Sequence, residues 1–174
     1  MSYKLPFFSL LFLALLNLNI GHLAQTPKKR AEALRKFQAC LQPTRHVSLD
    51  CSEEFVANVI DLYNRGDYSL LKPLLDAGLS SDGALSQELG GFYSNVLSRN
   101  PRRFLAAVRS RPVKQERHLC WMAGATDGSG METQMLRNVR RSLRVISSRR
   151  EDPLSSVART CLANVNRANA SSGR

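Results

Sequence analysis

Apolar residues recur at helical spacing in the middle of the chain, between residues 84 and 112. The first stripe comprises Leu85, Leu89, Phe92, Tyr93, Val96 and Leu97. Because residues three and four apart share one face of a helix, this spacing predicts an amphipathic helix. Asn100 is a favourable N-cap and Pro101 suits the first helical position, so a second helix is predicted over Arg102–Arg109. Its inward-facing residues are predicted to be Phe104, Leu105 and Val108.

Similar stripes along the rest of the chain predict further helices. They cover residues 28–41, 50–65, 68–77, 113–123 and 132–148, and a last helix starts at Pro153. Gly66 and Gly78 are predicted to end helices, and Pro73 makes the first turn of its segment irregular or moves the helix start to Pro73 itself. No stretch shows sustained period-two alternation. The pattern predicts an all-α protein of seven or eight short amphipathic helices, packed as antiparallel pairs in an α-solenoid-like stack or an irregular orthogonal bundle.

The beginning of the chain differs from the rest. Lys4 precedes an apolar run, Leu5–Leu18, which is shorter than the about 20 residues of a membrane-spanning helix. A positive residue followed by such a run is typical of a signal peptide, with cleavage expected after Ala24 or alternatively after Gly21. An uncleaved N-terminal membrane anchor is the other interpretation, and it also places the rest of the chain outside the cytoplasm.

These features predict three parts of the chain. We expect a signal peptide over residues 1–24, a single all-α domain over residues 25–167 and a disordered C-terminal tail over residues 168–174. The middle part is long enough to bury one hydrophobic core. The expected localisation is secreted or periplasmic, with no transmembrane span in the mature chain.

The chain has four cysteines, and all of them follow the predicted cleavage site. An even number of cysteines in an exported chain predicts two disulfides, for which three pairings are possible. We expect Cys40–Cys51 and Cys120–Cys161, because the end of the first predicted helix and the start of the second should lie close together. No metal and no cofactor is expected, since the chain has no C-x-x-C pair and its histidines are not at ligand spacing.

Positive charge is concentrated in the second half of the chain. The net charge is +11 at pH 7, and residues 99–174 hold 16 basic and five acidic side chains, whereas residues 25–98 hold eight and nine. Arginine binds phosphate and carboxylate oxygens bidentately, so an aligned row of arginines could bind a polyanion. The candidate residues are Arg102, Arg103, Arg137, Arg140, Arg141 and Arg144. A solvated face that serves solubility is the alternative, and the lack of interleaved aromatic residues argues against base stacking on a single strand.

No arrangement of residues predicts catalysis. Ser69 and Lys72 have the S-x-x-K spacing of penicillin-recognising hydrolases, but the other elements of that site are missing and Pro73 disturbs the helix. Asp127 and Glu132 flank a glycine-rich loop, yet two carboxylates fall short of the six to eight oxygens that calcium prefers. We therefore expect that the protein is not an enzyme.

Three functional hypotheses follow from these observations. The first is an exported, non-enzymatic helical binding or scaffold protein, whose partner is an envelope or extracellular protein. The second is a polyanion-binding protein that uses the basic C-terminal half to bind an anionic lipid head group, a wall polymer or nucleic acid. The third is a small serine hydrolase built on Ser69 and Lys72.

Overall fold

A computed structural model of the protein describes residues 53–125 and 133–172, together with the helical residues Ala31, Glu32 and Arg35. The chain divides into two compact units, residues 1–35 and residues 36–174, and all the elements below belong to the second unit. The predicted signal peptide, its cleavage site and the predicted Cys40–Cys51 pair lie outside the described residues.

The described part of the second unit consists of helices joined by short links and has no strand. Its elements are α1 (Glu53–Asn64), a 3₁₀ helix (Tyr68–Leu70), α2 (Leu71–Ser80), α3 (Gly83–Arg99), α4 (Pro101–Arg109), α5 (Val113–Met122), α6 (Gln134–Ser148) and α7 (Ser155–Ser172). The predicted all-α class is therefore confirmed for these residues, while packing as antiparallel pairs stays a prediction. None of the described helices is both long enough and apolar enough to cross a membrane.

The link between α3 and α4 has the predicted local structure. Asn100 caps α4, because its side-chain oxygen accepts a hydrogen bond from the backbone N–H of Arg103 (3.3 Å). Pro101 occupies the first helical position, where its missing N–H leaves no unsatisfied partner. The chain therefore turns from one helix to the next at a single residue, so the end of α3 and the start of α4 lie next to each other.

The hydrophobic core is built around α3 and α7. Helix α3 packs against α1, α2, α4, α5 and α6, and α7 packs against α4, α5 and α6. Fully buried side chains include Leu89, Tyr93, Leu97, Phe104, Leu105, Val108, Leu119, Leu143 and Val165. Leu85 was expected to face inward but is only half-buried, because it lies near the start of α3 at the edge of the bundle.

A disulfide joins two of these helices. Cys120 in α5 and Cys161 in α7 are bonded, with a Cα–Cα distance of 4.9 Å, and both are fully buried. This confirms one of the two predicted pairs. The bond closes a loop that includes all of α6, so α5 and α7 are joined covalently within the core.

Two glycines that were predicted to end helices have different positions in the structure. Gly66 has a positive φ of 112° and ends α1, as predicted. Gly78 was expected to end its helix, but it lies inside α2 and is buried. The reason is a close approach: a Cβ at Gly78 would lie 2.2 Å from the hydroxyl oxygen of Tyr93, which donates a hydrogen bond to the carbonyl of Leu74 (2.6 Å). Burial raises the pKa of this phenol far above its ordinary value.

The start of α2 and the end of α7 also bear on the predicted boundaries. The 3₁₀ helix Tyr68–Leu70 precedes α2, and Pro73 lies in the first turn of α2. The expected irregular start of this segment is therefore observed. The tail was expected to be disordered from residue 168, but α7 continues to Ser172 and Ala168 is fully buried. Ala168 continues the apolar spacing of Cys161 and Val165, which is sufficient to keep this turn of the helix against the core.

A partly buried ion pair fixes the chain after α4. Arg111 is 9% exposed, and its guanidinium binds the carboxylate of Asp76 in α2 (2.6 Å). It also donates to the backbone carbonyl of Lys72 (3.2 Å). Arg111 therefore connects the link between α4 and α5 to α2, and it has a structural position rather than a place on a binding surface.

Candidate anion-binding site

A surface groove of about 470 Å³ lies where the α3–α4 link meets the second half of α6. Its lining comprises Arg99, Asn100, Pro101, Arg102, Arg141, Ser142, Val145, Ile146 and Arg149. We call this surface the arginine groove, after its four arginines. Two of them come from the helix ends at the α3–α4 link and two from α6 and its C-cap, so the groove is made by the tertiary packing of separate chain segments.

Local structure fixes where each arginine starts. Arg99 is the last residue of α3 and Arg102 is the second residue of α4, and the Asn100 cap brings these positions together. Arg141 lies on the exposed face of α6, and Arg149 is the C-cap of the same helix. Each side chain is thus attached to a backbone position that a helix or a cap holds in place.

Arg102 is the one groove arginine that has a carboxylate partner among the described residues. It forms an ion pair with Asp152, whose side chain is only 5% exposed, and Asp152 also accepts a hydrogen bond from the backbone N–H of Leu154 (3.0 Å). That backbone bond, followed by the charges of Arg102 and Arg149, lowers the pKa of Asp152. Asp152 therefore stays ionised and anchors Arg102 to the link between α6 and α7.

The other groove arginines, Arg99, Arg141 and Arg149, are exposed and form no ion pair within residues 53–125 and 133–172. Beside them, Val145 is 48% exposed and Ile146 is buried, so the floor of the groove is partly apolar. Positive side chains around an apolar floor can contact both the charged groups and the carbon skeleton of a bound molecule. The groove is therefore chemically suited to an anion.

The six arginines predicted from the sequence do not form one row. Arg102 and Arg141 line the arginine groove, whereas Arg103 lies over the ring of Tyr68 and is not part of the groove lining. Since successive residues of a helix are about 100° apart, Arg140 and Arg141 point in different directions from α6. Accordingly Arg140 is half-buried and does not line the groove.

The remaining members of the predicted set also lie away from the groove lining. Arg137 donates two hydrogen bonds to the side chain of Gln134 (2.8 and 3.1 Å), one turn earlier on α6. Arg144 is exposed. Sequence reasoning missed Arg99 and Arg149, which stand at helix ends rather than on a periodic face. The signal that could have found Arg99 is its position directly before the Asn100 cap.

The residues considered for catalysis and metal binding have ordinary surroundings where they are described. Ser69 lies in the 3₁₀ turn, and its hydroxyl donates to the carboxylate of Asp67 (2.6 Å). Lys72 is exposed in the first turn of α2. Asp127 and Glu132 lie outside the described residues. Within the described ranges, no group of three or more histidine, cysteine, aspartate or glutamate residues could hold a metal ion.

No protein-family model, no curated protein and no solved structure matches the chain.

Proposed function

We propose that the protein is an exported, non-enzymatic helical binding module whose ligand is a polyanion bound in the arginine groove. The observation that carries this proposal is the convergence of four arginines from two separate segments of the chain on one groove. Like charges repel one another, and Asp152 pairs with Arg102 alone, so the other three arginines favour the binding of an anion. Export is the part of the proposal that rests on the sequence pattern of residues 1–24.

The positions of the groove arginines favour a ligand with several anionic groups. Arg102 is already paired with Asp152, which leaves Arg99, Arg141 and Arg149 to meet separate negative charges. Guanidinium groups bind phosphate, sulfate or carboxylate oxygens through paired hydrogen bonds. Each contact displaces counterions, so the affinity should fall steeply as the salt concentration rises.

Binding to an envelope or extracellular protein, the first of the sequence-based hypotheses, has less support. The exposed large apolar side chains of the described residues are Tyr68, Val113, Trp121, Met135 and Val145. They are distributed over the 3₁₀ helix, α5 and α6, and Val145 lies in the arginine groove itself. A protein partner therefore stays a prediction without a surface assigned to it.

Charge reversal with a matched control tests the polyanion proposal. The test variant is Arg141→Glu/Arg149→Glu, and the control is Arg109→Glu/Arg159→Glu, whose arginines are also exposed but do not line the groove. Both variants change the net charge by the same amount. Binding of inorganic polyphosphate to the full-length protein is measured by titration calorimetry at low and high salt.

We expect the test variant to lose about tenfold or more in affinity for each reversed arginine, because a hydrogen bond to a charged group contributes about 1.5–3 kcal/mol. The control should retain most of the affinity and most of the salt dependence. Equal losses in the two variants would show that only total charge matters, and salt-insensitive binding by the unmodified protein would contradict an electrostatic site. Either outcome refutes the proposal.

A further inference from the structure

A smaller cleft of about 260 Å³ adjoins the arginine groove and shares Arg99 and Asn100 with it. Its lining comprises Tyr63, Asn64, Tyr68, Asn95, Val96, Arg99, Asn100 and Arg103. We call it the asparagine cleft, because three of its side chains are primary amides. Both shared residues belong to the α3–α4 link, so the two cavities meet there.

Arg103 is held in a fixed position at this cleft. Its guanidinium carbon lies 3.5 Å from the centroid of the Tyr68 ring, in cation–π contact. The neighbouring hydroxyls of Tyr63 and then Tyr68 raise the pKa of Arg103. Its backbone N–H is held by the side chain of Asn100. No carboxylate within the described ranges is placed to form an ion pair with Arg103, so its charge is positioned in advance for a ligand.

We infer that the asparagine cleft binds one acidic sugar residue, and that the polyanion of the arginine groove is therefore an acidic polysaccharide. This inference rests on the proposed function. A primary amide donates and accepts hydrogen bonds at the same time, and so does a sugar hydroxyl, so the amides of Asn64 and Asn95 suit sugar hydroxyls. Asn100 adds the donors of its amide nitrogen, since its oxygen accepts from Arg103. Arg103 and Arg99 meet the carboxylate, sulfate or phosphate group that such a ring carries.

The size of the cleft supports a single ring. Its volume of about 260 Å³ is below the about 300–1,000 Å³ of pockets that enclose a drug-sized molecule. The rest of the polymer leaves the cleft past Arg99 and Asn100, which also line the arginine groove. One chain can therefore contact both cavities, with one sugar bound in the cleft and the following acidic groups bound in the groove.

Other polyanions fit this cleft less well. Single-stranded nucleic acid is bound by stacking bases on open aromatic faces. Here the Arg103 guanidinium covers one face of Tyr68, and the ring of Tyr63, at an interplanar angle of 72°, packs against Tyr68 and is itself buried. An anionic lipid would need a large apolar surface for its acyl chains. Val96 is the one aliphatic residue in the described lining of the cleft and it is buried, and Val145 is the exposed aliphatic side chain of the adjoining groove.

The test compares two ligands that carry similar charge but differ in hydroxyl groups. The probes are an oligogalacturonate and inorganic polyphosphate of matched charge, measured with the full-length protein. The variant is Asn95→Ala, and the matched control is Asn138→Ala, a half-buried asparagine of α6 outside the cleft. Both changes replace a helical asparagine by a better helix former, so both proteins should fold. A second variant, Asn64→Ala, alters an exposed residue of the same cleft.

We expect Asn95→Ala and Asn64→Ala each to weaken oligogalacturonate binding by about threefold to tenfold, the range for one lost neutral hydrogen bond. Binding of polyphosphate should be unchanged in both, and Asn138→Ala should leave both probes unaffected. Equal effects on the two probes, or no effect on either, would overturn the acidic-sugar inference.

Two further probes separate the other polyanions from sugars. Tighter binding of a single-stranded oligonucleotide or of vesicles containing anionic phospholipid, sensitive to Asn95→Ala, would also overturn the inference. A failure of the polyanion proposal is recognised separately, because in that case Arg141→Glu/Arg149→Glu weakens polyphosphate binding no more than the control Arg109→Glu/Arg159→Glu does. The two proposals can thus fail independently.

Discussion

Two neighbouring glycines of α3, Gly90 and Gly91, have opposite surroundings and provide a sharp test of the packing. Gly90 is buried, and a Cβ there would lie 2.9 Å from the backbone carbonyl oxygen of Met122 in α5. Gly91 is exposed, and a Cβ there would meet nothing within 4 Å. The same substitution, glycine to alanine, therefore has two different expected effects one residue apart.

Two contributions determine how each substitution changes the free energy of unfolding. Alanine is favoured over glycine inside a helix by about 1 kcal/mol, so Gly91→Ala should stabilise the protein by about that amount. Gly90→Ala gains the same helix propensity, but its added methyl group must displace the backbone at Met122. Overpacking of this kind costs about 1–3 kcal/mol. Helix α5 cannot move away easily, because the Cys120–Cys161 disulfide joins it to α7 and Ser94 of α3 donates a hydrogen bond to the carbonyl of Ala123.

The difference between the two variants isolates the packing contribution, since the helix-propensity contribution is common to both. Gly90→Ala should be less stable than Gly91→Ala by about 1–3 kcal/mol. For a domain of this size, thermal unfolding followed by circular dichroism should show a difference of about 2–4 °C in Tm for each kcal/mol. If Gly90→Ala is as stable as Gly91→Ala, the backbones of α3 and α5 are not as close as described, and the reasoning is wrong.

Three other predictions concern the connections between helices. Replacing Cys120 and Cys161 by serine should reduce the free energy of unfolding by up to about 4 kcal/mol in denaturant titrations, and an unchanged midpoint would contradict a stabilising crosslink. Arg111→Ala should cost about 1.5–3 kcal/mol through the lost charged hydrogen bonds, whereas a neutral result would show that the Asp76 pair is not formed in solution. Because the pKa of Asp152 is lowered on folding, its contribution to stability is complete above the unfolded pKa of about 3.9 and is lost as the pH falls through the folded pKa. The stability difference between the unmodified protein and Asp152→Asn should therefore be constant from about pH 7 to 5 and decrease below about pH 4, and a difference that persists in acid would refute this assignment.

The parts of the fold that could be predicted from the sequence depend on local chemistry. The Asn100 cap followed by Pro101 specifies the α3–α4 link without any distant contact, and apolar spacing alone specifies most helix bodies. Gly78 is a position where local chemistry is not sufficient for a correct prediction. Its role depends on the ring of Tyr93, which reaches it from another helix, and no rule of local sequence distinguishes that packing from a helix stop.

The candidate site was harder to predict because it also depends on packing between helices that are distant in the sequence. A periodic reading of α6 groups its arginines by their position along one helix, but the groove is formed where α6 meets the α3–α4 link. Arg99 and Arg149 belong to the groove because of that approach, and they are not part of any periodic stripe. Arg140 illustrates the converse, since it is next to Arg141 in sequence yet faces a different direction on the helix.

Asn100 has a place in both the architecture and the chemistry of this protein. It caps α4, and it also lines both the arginine groove and the asparagine cleft. Any substitution at this position alters folding and recognition together, so its effect on ligand affinity cannot be interpreted alone. Engineering a new ligand preference at the α3–α4 link should therefore leave Asn100 in place and vary Asn95 in the asparagine cleft and Arg141 in the arginine groove.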